Sequence, residues 1–127
     1  MGHSFGGCLA LLYALQYTQR VSHLLLVGTT AAWDYFDEMA EDLQRRAVGE
    51  EVTAALLNLP SKTVWNAAAN VRSRQLTGGV RRRLGEITAP TLILTGREDF
   101  FCQPTQAEGM HRSIPGSEMG IFERSSH

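Results

Sequence analysis

The chain has no excess of either charge, no long apolar run and almost no cysteine. Twelve Lys and Arg stand against thirteen Asp and Glu, for a net charge of −1, so the electrostatic footprint of a nucleic-acid binder is missing. The one basic cluster, Arg81-Arg82-Arg83, reads as a solvated face rather than a phosphate site. No apolar run approaches the ~18 residues of a membrane span, and no secretory signal pattern is present, so no membrane partner is expected and the expected compartment is the cytoplasm. The only two cysteines, Cys8 and Cys102, are far apart and are expected as reduced thiols. No His/Cys/acid spacing suggests a metal, and no cofactor is expected. What remains is a neutral chain of 127 residues, 43% apolar, long enough for one globular domain with a real core.

The chain opens "MGHSFGG". Gly2-His3-Ser4-Phe5-Gly6 fits G-x-S-x-G, the pattern of a sharp strand-to-helix turn with a nucleophilic serine at its apex. Here the strand expected to lead into the turn is missing. "GCLALLYALQYTQR" then places Leu9, Leu12, Tyr13, Leu15 and Gln16 at helical spacing, predicting a helix over 5–18. "VSHLLLVGTT" follows, a continuous apolar run of the kind buried on both faces of a parallel sheet. Residues 33–84 differ: three short amphipathic segments, one stopped by Pro60 and the last ended by Gly78-Gly79, read as a helical insertion. The sheet resumes with "APTLILTG", a helix is expected over "TQAEGMHRSI", and Pro115-Gly116 turns into a last strand. Strands and helices alternate, which predicts an α/β layered fold with about three parallel strands.

A serine hydroxyl needs a base within hydrogen-bond reach, itself oriented by a third group. Ser4, then Asp99 after the strand "TLILTG", then His127 after the last strand stand in the order serine, acid, histidine. The acid and the base are 127 − 99 = 28 residues apart. All three lie beyond the C-terminal ends of predicted parallel strands, where open α/β sheets build their sites.

"GHSFGGCLALLYALQYTQRVSHLLLVGTT" and "APTLILTGREDFFCQPTQAEGMHRSIPGSEMGIFERSSH" resemble the α/β-hydrolase-fold superfamily, in particular its proline iminopeptidase-like branch, from the nucleophile turn onward. The resemblance implies a single truncated α/β-hydrolase domain over 1–127, with 33–84 as a short helical cap. It implies Ser4 as nucleophile, Asp99 as acid and His127 as base. The family often has glycine before that histidine, where this chain has Ser126. Phe5, next after the nucleophile, would lend its backbone N–H to an oxyanion hole. The family's second donor comes from a loop upstream of the turn, which this sequence does not contain. His3, Trp33 and Phe100 are expected to line the substrate pocket.

The expected activity is hydrolysis of small carboxylic esters through an acyl-enzyme, with no metal or organic cofactor. The alternatives are an inactive hydrolase-fold fragment that self-associates, a proline iminopeptidase-type peptidase, or cleavage of a carbon–carbon bond or an epoxide. An apolar sheet edge at residues 21–28 is expected to be covered by a second copy, giving a dimer or higher homo-oligomer.

Overall fold

A computed structural model describes residues 1–31 and 79–127. Met1–Ala32 and Gly79–His127 form one compact unit. Its centre is a parallel sheet of β1 (Gly2–His3), β2 (Leu24–Val27), β3 (Thr91–Gly96) and β4 (Glu118–Phe122), in that spatial order. Between the strands run α1 (Phe5–Gln16), α2 (Val80–Arg83) and α3 (Pro104–Ser113), with 3₁₀ turns at Thr18–Arg20 and Leu84–Glu86. The truncated α/β fold predicted from the alternating pattern is what forms. Among the described residues the sheet has four strands rather than about three. Gly2 pairs with Leu26 and His3 with Val27, so a two-residue strand does enter the serine turn. It also covers part of the edge that residues 21–28 were expected to leave bare.

One sheet face is buried. Leu24 and Leu26 on β2 and Ile93 on β3 join Leu11, Ala14 and Leu15 of α1, Ala107 and Met110 of α3, and Val80, Leu84 and Ile87 in a single core. Ile93 and Leu26 are 1% and 0% exposed, so truncating either to alanine would cost about 2–5 kcal/mol. Residues 80–84, the end of the expected insertion, thus pack into the sheet's core. The other face carries Leu25, Val27 and Leu94, half-buried, and Leu92, exposed, with Leu25 beside Leu92 and Val27 beside Leu94. The continuous apolar run of β2 is therefore buried on one side only in the described unit. The rest of the expected insertion, residues 33–78, with Trp33, lies outside the described residues.

Local chemistry explains the helix ends. Pro104 occupies the first turn of α3, where no intrahelical N–H is needed, and His111 and Arg112 sit in its last turn beside the negative end of the dipole. In α1 nearly every side chain is apolar, so spacing locates the helix but not its buried face. The core takes Cys8, Leu11, Ala14 and Leu15, leaving Leu9 and Tyr13 outside.

The sheet register aligns the strand ends. Leu24 pairs with Thr91 and Leu92 with Glu118, so His3, Val27, Gly96 and Phe122 end their strands on the same side. Everything that follows those four residues is delivered to one rim.

Candidate active site

Ser4 is the link between β1 and α1. It takes φ 51° and ψ −127°, a region costly for a residue with a side chain, of order 1–3 kcal/mol. Among the described residues other than glycine, it alone has positive φ. The strain is held in place by backbone pairing. Its N–H donates to the Val27 carbonyl at 3.1 Å, and its carbonyl accepts from Gly7 N–H at 3.0 Å. The turn exposes the hydroxyl on the rim.

Asp99 lies in the loop after β3 and is 2% exposed. Its Oδ1 accepts from the N–H of Phe101 at 3.0 Å and of Cys102 at 2.8 Å. These two donors and the imidazole below compensate the burial of a carboxylate. Its own burial pushes the nearby Cys102 thiol up to about 12, with the charge of Asp99 as the next cause and Cys8 as a smaller one. Both cysteines are buried thiols.

His127 reaches the site because the segment after β4 is laid across the end of β3. A Cβ on Gly96 would overlap the carbonyl oxygens of Ser125 and Ser126, so only glycine lets this segment pass. It is pinned by Arg97 N–H to the Phe122 carbonyl and Glu98 N–H to the Ser125 carbonyl, both at 2.9 Å. Outside, the Arg97 guanidinium forks onto Glu123 at 2.8 and 3.1 Å. This pair holds the arginine's ionisation above and the glutamate's below their ordinary values, through the shared hydrogen bonds first.

Ser4, His127 and Asp99 meet in a continuous chain of hydrogen bonds. His127 Nδ1 lies 2.9 Å from Asp99 Oδ2, and His127 Nε2 lies 2.8 Å from Ser4 Oγ. The carboxylate can only accept, so Nδ1 carries the proton and donates to it. Nε2 then accepts the Ser4 hydroxyl proton. Two rings flank the imidazole: His3, at 4.8 Å between centroids, and Phe101, at 5.5 Å. Below it lies Gly28, in the left-handed region at φ 46°, where a Cβ would stand 3.2 Å from Asp99 Oδ2 and 3.4 Å from His127 Nδ1.

The expected pocket residues separate on inspection. His3 packs against the imidazole, whereas Phe100 is exposed and stacks on Phe101 at 4.0 Å. Phe5 opens α1, where helix-start N–H groups favour negative charge. In the sequence Phe101, Gly28 and Gly96 carry no sign of the site, since Phe101 is one of several loop residues and each glycine simply follows or closes an apolar run. Among the described residues no group of three His, Cys, Asp or Glu is placed to hold a metal ion, and no helix is long and apolar enough to cross a membrane.

The parallel sheet, the serine turn and the strand-end geometry are similar to those of α/β-hydrolase-fold proteins, including the proline iminopeptidase-like branch, from the nucleophile turn onward. A model of the alpha/beta hydrolase fold family matches residues 1–49. The chain is 27% identical to a proline iminopeptidase of Saccharolobus solfataricus, over 100% of this chain and 55% of that protein. It is 29% identical to a 2-hydroxy-6-oxononadienedioate/2-hydroxy-6-oxononatrienedioate hydrolase of Cupriavidus pinatubonensis, over 100% of this chain and 54% of that protein. Among solved structures, an esterase from Exiguobacterium antarcticum superposes with a TM-score of 0.63 at 25% identity, over 99% of this chain and 58% of that one. The chain spans about half the length of the curated relatives it matches. By name those relatives are two proline iminopeptidases and one hydrolase.

Proposed function

We propose that the chain carries the catalytic triad of a serine hydrolase acting on small carboxylic esters. The unbroken path Ser4 Oγ to His127 Nε2 to Asp99 is the observation that carries this reading. Ser4 Oγ bonds to the ester carbonyl carbon while its proton passes to His127 Nε2. The carbonyl π electrons move onto the oxygen, which Phe5 N–H stabilises at the start of α1. When the tetrahedral adduct collapses, the C–O bond to the alcohol breaks and the leaving oxygen takes the proton from Nε2. Water then repeats the sequence on the acyl-enzyme, giving the acid and restoring Ser4. Asp99 holds the imidazole with Nδ1 protonated and balances its charge while it is an imidazolium.

Esters are preferred over peptides because their leaving groups depart more easily, and the name of the Exiguobacterium relative supports that choice. His3 and Phe100 border the acyl site in this reading. The test is turnover of p-nitrophenyl acetate by wild type beside Ser4→Ala: wild type turns over and the variant falls to background, whereas equal rates refute the reading.

The half-exposed face of Leu25, Val27, Leu92 and Leu94, with Leu9, Tyr13 and Tyr17 exposed along α1, supports a second proposal. Two copies of the chain associate through these apolar surfaces. Light scattering at micromolar concentration should give at least a dimer, and a monomer refutes it. Two buried thiols favour a reducing, cytoplasmic setting.

A further inference from the structure

Thr29 follows Gly28 at the end of β2 and is 3% exposed. Its hydroxyl donates to the Ser4 carbonyl oxygen at 2.6 Å. The segment at β2 therefore holds the serine from both sides, Val27 through the Ser4 N–H and Thr29 through the Ser4 carbonyl. The contact requires close approach to the first turn of α1. A Cβ on Gly7 would overlap the Thr29 side chain, so the second glycine of the "GG" pair is what lets Thr29 seat.

The Ser4 carbonyl and the Phe5 N–H belong to one planar, trans peptide unit and point in opposite directions. Whatever fixes the direction of that carbonyl fixes the direction of that N–H. A hydrogen bond to the carbonyl also polarises the amide and strengthens the N–H as a donor.

We propose that Thr29 is a positioning residue for the oxyanion donor: its hydroxyl locks the Ser4–Phe5 peptide so that the Phe5 N–H is aimed, before substrate arrives, at the acyl oxygen. Among the described residues the Thr29 hydroxyl bonds the Ser4 carbonyl and lies 3.8 Å from Cys8 Sγ, not on the imidazole. It acts through the peptide plane alone. The inference rests on the serine-hydrolase reading of Ser4, His127 and Asp99.

Thr29→Val keeps the shape and removes the hydroxyl, while Thr29→Ser keeps the hydroxyl. With p-nitrophenyl acetate, Thr29→Val should lower kcat about 10–100-fold, short of losing a donor outright, with KM within about threefold. Thr29→Ser should restore kcat to within about threefold. A merely structural role would lower the melting temperature without this split between kcat and KM. A readout independent of turnover is the Phe5 amide ¹H–¹⁵N cross-peak, which should move in Thr29→Val and return in Thr29→Ser. If Thr29→Val does not fold, Thr29→Ala takes its place. A wild-type kcat, an unmoved Phe5 peak, or a kcat loss that serine fails to rescue overturns the inference while Ser4→Ala remains inactive. If wild type is no faster than Ser4→Ala, the serine-hydrolase reading falls instead, and the Phe5 peak still decides whether Thr29 locks the peptide.

Discussion

Gly28→Ala tests the geometry beneath the imidazole and has a built-in control. Gly28 has φ 46° and Gly116 has φ 66°, so alanine at either position carries the left-handed penalty, about 1–2 kcal/mol. For a unit of this size that lowers the melting temperature by roughly 4–15 °C in both variants. The surroundings differ. A Cβ on Gly116 meets nothing within 4 Å, whereas one on Gly28 stands 3.2 Å from Asp99 Oδ2 and 3.4 Å from His127 Nδ1. The carboxylate–imidazole pair must then give by a few tenths of an ångström. A displacement of 1 Å in a catalytic array can cost about 10²-fold in rate, so the shift forced by alanine should cost about tenfold in kcat. Valine adds two more carbons and should cost more. The assay is ester turnover beside a thermal melt for Gly28→Ala and Gly116→Ala. Gly28→Ala should melt no higher than Gly116→Ala and have a kcat about tenfold lower. Equal kcat values would refute the claim that Gly28 makes room for the pair.

Three further outcomes follow from the same contacts. Gly96→Ala should leave the sheet folded but displace Ser125 and Ser126, so turnover falls while the far-ultraviolet circular dichroism spectrum stays that of wild type; unchanged turnover would contradict the crossing over β3. Asp99→Asn turns an acceptor of the Nδ1 proton into a possible donor and favours the wrong imidazole tautomer, so kcat should fall about 10³–10⁴-fold, and a loss below tenfold would deny Asp99 its orienting role. Cys102, pushed up to about 12 chiefly by burial, should be only about 10⁻⁴ thiolate at pH 8. Native protein should resist iodoacetamide at this position until unfolded, and rapid native alkylation would contradict its burial.

Much of the architecture is legible in the sequence because its signals are local. "TLILTG" is bounded by Pro90 and Gly96, and β3 spans Thr91–Gly96. The G-x-S-x-G spacing places a serine turn, and Ser4 adopts one. The order of Ser4, Asp99 and His127 suggests a shared site, and the parallel register brings the three within hydrogen-bond range. What the sequence hides is non-local. A two-residue strand such as Gly2–His3 has no periodicity to detect; it exists only through pairing with Leu26 and Val27. The uniformly apolar α1 does not say that Leu11 and Leu15 face the core while Leu9 faces out. Gly28 and Gly96 look like strand terminators, and their second role emerges only when Asp99, His127 and the Ser125–Ser126 carbonyls arrive from elsewhere in the chain. Thr29 is hidden for the same reason, since its partner Ser4 lies 25 residues away.

Ser4 as a nucleophile activated by His127 is the step on which the proposed chemistry depends. Treating the purified chain with a fluorophosphonate and mapping the adduct by peptide mass spectrometry tests it most directly. One phosphonyl group is expected on Ser4 of the native wild type, and little or none in His127→Gln or in unfolded protein. An unlabelled Ser4, or labelling at the same rate in His127→Gln, would contradict it.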